Sequence, residues 1–475
     1  MPLRAKIDPT RLNINARMNH TSSSYEEGSP DEVLVRSNGA VREFILNRPK
    51  KLNAINHNMC TLMAPRLLEY AKSDSANIIV VKGAGGKAFS AGGDVTALAL
   101  MFREQGAEVG EKNCSRYFQT EFALDHLIAT YAKPYVALID GITMGGGVGL
   151  SAHAPFVVAT EKTLWAMPET TIGYYPDVGG LFRLSRMDGQ LGLYLGMTSD
   201  RLKGYDVYRA GVATHFVPSE RVPEIEKRLS ELRPSDGDAT SDEYFSLVNR
   251  AIEEFAADAP ANHKPTLSDA DRDVIDSCFK FDTVEEIIAA LEAEGSAFAL
   301  KTKATLLDRC PHSLKVTLAG FRKAKSLDIK SVFALEQHIA DGVCGRNDFA
   351  EGVIALLVDK RKPVWEPASL EQISASDIAK IFAPRKPDWT PMKFHTDRTY
   401  MQYPHKFGLP TEEEIMLFVT GETSSSETKA TRDDVVKHFE KTHGNKVGLV
   451  SHIEHVLARK TKADPQHPTL LDWTY

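Results

Sequence analysis

The chain has 475 residues, 42% of them apolar and 25% charged, with a formal net charge of −7 at pH 7. That length exceeds one ordinary core and the composition is globular, which predicts two or three packed units and excludes a disordered or fibrous chain. The acidic balance also lacks the basic field expected of a nucleic-acid binder, so no direct nucleic-acid binding is expected.

The first 30 residues are basic and poor in acids: Arg4, Lys6, Arg11 and Arg17 face only Asp8 before Glu26, and serines 22–24 follow. This is the composition of a mitochondrial presequence or of a disordered basic arm, and the presequence reading places the protein in the mitochondrial matrix. Order is expected from Asp31. Segments 33–36 and 41–46 flank Asn38-Gly39, a hairpin signal. A polar loop over 47–56 leads into a helix over 59–71. Residues 78–82 form a short apolar strand that empties into glycine-rich residues 83–93. Residues 135–139 form a second that empties into 141–149, and 156–159 a third. Strands alternating with helical stretches predict an α/β fold with crossover connections. The apolar run 134–159 comes nearest to a membrane span, but Asp140, His153 and its glycines interrupt it, so no membrane segment is expected. Cys60, Cys114, Cys278, Cys310 and Cys344 form no CxxC pair and read as reduced, buried thiols.

Beyond Arg233 the character changes. A turn-rich linker over 234–241 precedes a long helical region, 243–360, in which Thr283 with Glu286 and Ser268 with Asp271 form capping boxes. A third change comes at 363–367. The tail has proline-broken stretches between Pro384 and Pro410, a helix capped by Thr411 and Glu414, a serine-rich loop at 424–426 and two further helical segments. Seven histidines lie in this tail: His395, His405, His438, His443, His452, His455 and His467. His452 and His455 are spaced i, i+3 with no third ligand near in sequence, so surface histidines are expected and no metal site.

The glycine loops carry the chemistry. A P-loop needs Ser or Thr after Gly86-Lys87, where Ala88 stands, and a dinucleotide fingerprint from Gly83 needs glycine at that same position. Ser90 is flanked by Ala88, Phe89, Ala91 and Gly92, which excludes a G-x-S-x-G elbow. What remains is a pair of strand–glycine–helix junctions. The first N–H groups of a helix have no intrahelical partner, and two such donors converging on one point make an oxyanion hole. Structural glycines at tight turns would explain either loop taken singly.

Together the motifs go further. Asn47-Arg48-Pro49 with Asn53-Ala54, GAGGKAFSAGGD over 83–94, and KPYVALIDGITMGGGVGLS over 133–151 resemble the enoyl-CoA hydratase (crotonase) superfamily. So do AMPETTIG over 166–173, PDVGG over 176–180 and LKGYDVYRAGVATHF over 202–216. DFAEGVIALLVDKRKPVW over 348–365 is similar to the end of the 3-hydroxyisobutyryl-CoA hydrolases, the subgroup the whole frame resembles most. The resemblance covers residues 31 to 365. It implies a ββα spiral core over 31–235, a helical region over 236–375 that completes the active site, and a mostly helical extension over 376–475.

The resemblance also implies roles. The backbone N–H groups of Gly93 and Gly146 correspond to the oxyanion donors. The Asn53-Ala54 loop and the backbone from Lys87 through Ala88 to Ala91 correspond to the lining of the CoA arm. Glu169 corresponds to a glutamate shared with the hydratases, and Asp177 to the second acid of the hydrolases. Glu121 corresponds to the contact for the substrate hydroxyl. Gly149 stands where hydratases carry their second glutamate, which argues for hydrolysis of 3-hydroxyisobutyryl-CoA over hydration. Glu169 would attack the thioester carbonyl or activate water, and Asp177 would orient the acid or relay a proton. The implied acyl-CoA substrate brings CoA with it, and no separate cofactor or metal is expected. The tail, with YPHKFGLPTEEE over 403–414 and ARKTK over 458–462, resembles fungal members of this family, some of which are subunits of the mitochondrial small ribosomal subunit. Its balanced charge implies docking on ribosomal proteins, not on RNA. The long helical region leaves homo-oligomerisation open.

Overall fold

The computed structural model describes residues 28–383, 392–422 and 429–474. The basic N-terminal arm up to residue 27 and the serine-rich loop at 424–426 lie outside the described residues.

The fold opens on a hairpin of β1 (Val33–Asn38) and β2 (Val41–Leu46). Asn38 pairs with Val41, so the asparagine closes the ladder and Gly39, at φ 58°, takes the first turn position. Eight strands follow: β3 (Ile78–Gly83), β4 (Ala88–Ser90), β5 (Tyr135–Ile139), β6 (Ile142–Met144), β7 (Phe156–Ala159), β8 (Leu164–Ala166), β9 (Leu202–Lys203) and β10 (His215–Phe216). They form two sheets. One has the order β1-β2-β3-β5-β7-β10 and is parallel from β2 onward. The other has the order β4-β6-β8-β9 and is parallel except at β8–β9. Successive strand pairs, β3 with β4, β5 with β6 and β7 with β8, each give one strand to each sheet. This is the ββα spiral the motifs imply.

The large sheet is covered on both faces, which explains its unbroken apolar strands. Ile79, Val81, Ala137, Ile139 and Val157 face the main core. Their neighbours Ile78, Val80, Val136, Leu138 and Val158 face a second cluster with Ile225, Leu229, Tyr244 and Ile252. Helix His57–Ala71 starts two residues earlier than the periodicity predicts, because the Asn56 side chain accepts from Met59 N at 2.9 Å and caps it. The helical region runs from Asp242–Glu253 to Asn347–Val353, and both expected capping boxes form within it. Pro311–Ala324 and Ile329–Cys344 bury most of their length against the main core.

The tail is woven onto this body. Ile381 joins the main core, the half-buried Phe394, Tyr400 and Leu409 pack against it, and Phe407 packs on the second cluster. Helices Glu412–Val419, Arg432–His443 and Leu449–Lys460 build a small core of their own around Ile415, Val435, Ile453 and Val456. A short hairpin, β11 (Thr461–Ala463) with β12 (Leu471–Trp473), ends the fold; no strand was expected in this mostly helical extension. Glu253 anchors this unit, accepting from Lys446 Nζ at 3.2 Å and Val447 N at 2.6 Å. Arg459 bridges Asp276 at 3.1 Å and Glu412 at 2.8 Å. His452 is not the surface residue expected: it is buried and donates Nε2–H to Pro410 O at 2.8 Å. All five cysteines are free and buried. Among the described residues, no helix is long and apolar enough to cross a membrane.

Candidate active site

The first glycine loop is held in place by its neighbours. Arg48 reaches Glu32 at 3.1 Å, Asp94 at 2.8 Å and Ala54 O at 2.5 Å. Asn53, at φ 56°, spends its side chain on backbone: Nδ2 donates to Ala84 O and Ala88 O, both at 2.9 Å, and Oδ1 accepts from Arg48 N at 3.0 Å. Asn53 therefore fixes the loop and leaves no side-chain atom for a ligand. A parallel bridge joins Ile55 to Gly93 through Ile55 N to Gly92 O at 2.8 Å and Asp94 N to Ile55 O at 2.7 Å. In that pattern the N–H of Gly93 itself points away from Ile55.

The second loop turns at Gly145, whose φ of 46° and ψ of −119° only glycine adopts readily, and helix Gly146–Gly149 begins there. The first amides of such a helix lack an intrahelical acceptor. The two loops meet closely. A Cβ built on Gly146 would lie 3.2 Å from Gly93 N, 3.3 Å from Ile55 Cδ1 and 2.4 Å from Glu121 Oε1. The Gly93 amide nitrogen thus lies against the start of the Gly146 turn, next to a carboxyl group.

Acids crowd the same space. Glu121, from helix Ala107–Ala129, is 1% exposed and accepts from the Tyr117 hydroxyl at 3.0 Å. It is therefore not a solvated helix carboxylate. Glu169 opens the short helix Glu169–Ile172; its Oε1 lies 3.0 Å from where a Gly145 Cβ would be, and its buried Oε2 has no protein partner among the described residues. Asp177 is buried on the following turn. Burial pushes its carboxyl up to about 8. Burial, and then the charge of Asp177, push Glu121 and Glu169 well above the ordinary carboxylate range. Like charges sharing a low-dielectric site cannot all ionise, so at neutral pH this group holds protons.

The structure therefore gathers Gly93, Gly146, Glu121, Glu169 and Asp177 at one place. Lys87 is exposed, Ala88 is buried, and Ala54 and Ala91 are half-buried on the loop walls. Two acids escaped the sequence reading. Asp125 is fully buried with both oxygens unpartnered among the described residues, 2.6 Å from where a Cβ at Gly149 would lie. Its signal was present: Glu121 and Asp125 fall four apart on one face of an otherwise apolar helical run. Glu336, from helix Ile329–Cys344, is also fully buried and bonds to the turn after Asp177. Burial pushes its carboxyl up, against the pull of two amide bonds. A single acid within VFALEQHIA gave no pattern to read.

A family model described as enoyl-CoA hydratase/isomerase matches residues 41–382. The chain belongs to that family. It is 45% identical over 473 residues to the small ribosomal subunit protein mS47 of Neurospora crassa, covering 97% of this chain and 91% of that protein. It is 44% identical over 354 residues to the mitochondrial 3-hydroxyisobutyryl-CoA hydrolase of Danio rerio, covering 74% of this chain and 89% of that protein. The human protein of the same name is 40% identical over 370 residues, covering 78% and 92%. Among solved structures, a carnitinyl-CoA dehydratase from Mycobacterium thermoresistibile superposes with a TM-score of 0.68 at 35% identity, over 77% of this chain and all of that one. The proteins this chain is similar to thus include enzymes named for CoA thioesters and a protein named for a ribosome.

Proposed function

We propose that this protein hydrolyses a hydroxyacyl-CoA thioester, 3-hydroxyisobutyryl-CoA first among them, to the hydroxy acid and CoA in the mitochondrial matrix. The observation that carries the reading is the close meeting of the Gly93 and Gly146 loops with buried Glu121, Glu169 and Asp177 beside them. Relatives named 3-hydroxyisobutyryl-CoA hydrolase, mitochondrial, support the substrate and the compartment.

In this reading the thioester oxygen accepts from the Gly93 and Gly146 amides, which stabilise the charge that develops on it. In its ionised form, reached while Asp177 keeps its proton and exerts no like charge on it, Glu169 either attacks the carbonyl carbon, giving an anhydride that water then cleaves, or takes a proton from an attacking water. Asp177, a neutral acid at pH 7, gives its proton to the departing thiolate. In the water route a proton moving from Glu169 back to Asp177 resets the pair. Glu121 receives the substrate hydroxyl, and the backbone of residues 53–54 and 87–91 lines the CoA arm. No cofactor beyond the CoA of the substrate enters the reaction. Thiol release from a short panel of acyl-CoAs, with crotonyl-CoA beside them, tests the assignment. Hydration of crotonyl-CoA without thiol release would replace it with a hydratase.

A second reading is favoured by one observation. Identity to the Neurospora ribosomal protein runs over 97% of this chain, tail included, whereas the Danio hydrolase accounts for 74%. On this reading the tail docks on proteins of the mitochondrial small ribosomal subunit. Cosedimentation of the native protein with those particles tests it, and it is compatible with hydrolysis.

A further inference from the structure

Asp177 hangs from a turn that is strained by its own sequence. Val178 sits at φ 56°, in the left-handed region that a β-branched residue avoids, and Gly179 follows at φ 75°. A residue held there costs on the order of 1–3 kcal/mol and persists only where its surroundings enforce it. Within the turn there is one backbone bond, Gly180 N to Asp177 O at 2.6 Å.

The enforcement comes from outside. Glu336, some 160 residues further along the chain, divides its two carboxyl oxygens between the turn's amides: Gly179 N donates to Oε2 at 2.6 Å and Leu181 N to Oε1 at 3.1 Å. Its backbone oxygen accepts from the Tyr175 hydroxyl at 2.5 Å, so the chain is gripped on both sides of Asp177. From the opposite side His153 donates Nε2–H to Val178 O at 3.0 Å. A Cβ at Gly179 would fall 2.3 Å from that same His153 nitrogen, so the turn has no slack in which to relax. A buried carboxyl placed only to fill space would not meet two backbone donors with two oxygens.

We propose that Glu336 is a positioning residue for Asp177: its two-oxygen grip on the Gly179 and Leu181 amides holds the strained turn in the one conformation that brings Asp177 to Glu121 and Glu169. This inference rests on the hydrolase reading. Neither near neighbour reproduces the grip. Glutamine turns an N–H₂ toward one of the two donors, and aspartate is one methylene short.

The test uses the full-length protein with Glu336→Gln and Glu336→Asp, assayed on 3-hydroxyisobutyryl-CoA. A carboxyl displaced by about 1 Å costs on the order of 10²-fold in rate, so kcat should fall by about that factor in both variants while KM stays within about threefold. Amide hydrogen exchange at Gly179 and Leu181 reads the grip without turnover and should quicken in both, with the rest of the chain unchanged. Retained kcat in either variant overturns the proposal; in Glu336→Asp it would mean that charge, not the grip, matters. A rise in KM accompanied by faster exchange throughout the chain overturns it too, since that is general loosening. Wild-type protein that releases no thiol, yet shows the expected exchange changes, would remove the hydrolase reading and leave the grip standing.

Discussion

Replacing Gly146 by alanine puts the smallest possible side chain into the centre of the proposed site. The added Cβ would stand 2.4 Å from Glu121 Oε1, 3.2 Å from Gly93 N and 3.3 Å from Ile55 Cδ1. The first distance is below any real contact, so either the carboxyl or the loop must move. If Glu121 moves, it breaks its 3.0 Å bond from Tyr117, whose hydroxyl also lies 3.0 Å from O of Ile55, the residue that bridges Gly93. If the loop moves, the Gly146 amide leaves its neighbour at Gly93. Either route spoils one of two donors, and losing one costs about 10²–10³ in kcat, or about 2.7–4 kcal/mol. The assay is thiol release from 3-hydroxyisobutyryl-CoA, with substrate affinity measured separately and expected to change little. Gly408→Ala is the control, since nothing lies within 4 Å of its Cβ position. A Gly146→Ala protein within threefold of wild-type kcat would refute the oxyanion assignment.

Four further outcomes are expected. Glu169→Gln should abolish thiol release while leaving CoA-ligand binding by calorimetry nearly intact; near-normal turnover would remove Glu169 from the chemistry. Burial raises Asp177 from 3.8 to about 8, so the folded protein keeps this proton across a window in which the unfolded chain has lost it. Stability therefore declines from about pH 4 to about pH 8 on this account, and the melting temperature of Asp177→Asn relative to wild type should climb over that window and level off above it. A pH-independent difference would contradict the shift. Glu253, which burial pushes up but His215 and Lys446 together hold down to about 2, works in the opposite direction: its contribution is full above its ordinary value of 4.5 and fades as pH falls toward 2. Glu253→Ala strands the buried Lys446 ammonium and should cost about 3–5 kcal/mol in denaturant unfolding. A chain ending at residue 375 should melt well below the full-length protein in calorimetry, because it loses Ile381 from the main core and Phe394, Tyr400 and Leu409 packed against it.

Much of the fold around the candidate site was legible because its constraints are local. Glycines at 92–93 and 145–147 answer to turns and close approaches within a few residues, and β3, β5 and β7 declare themselves as buried apolar runs. Glu169 and Asp177 lie in short motifs for the same reason. Glu336 and Asp125 were not legible, because what makes them part of the site is packing between elements far apart in the chain. The same holds for His452: its spacing to His455 suggested a surface pair, but its environment is set by Pro410, forty-two residues away. The final hairpin was missed because three-residue strands carry too little periodicity to be told from loop.

The tail's attachment bears on both functional readings at once. Residues 392–403 do not simply trail from the catalytic body; they cross the two helices that carry Glu121 and Glu336. Arg398 O accepts from His126 Nε2 at 3.0 Å, Phe394 stacks edge-on to that ring at 4.6 Å, and Tyr400 O accepts from Ile329 N at 3.0 Å. His126 follows Asp125 directly, and Ile329 opens the helix on which Glu336 lies two turns further along. A partner that displaced or braced this strap would act on the placement of the buried acids without touching the substrate. Deletion of the tail would then not spare hydrolysis, as an appended docking module would allow. If the protein both docks on a ribosomal surface through its tail and turns over a thioester, the strap contacts at His126 and Ile329 are where the first would reach the second.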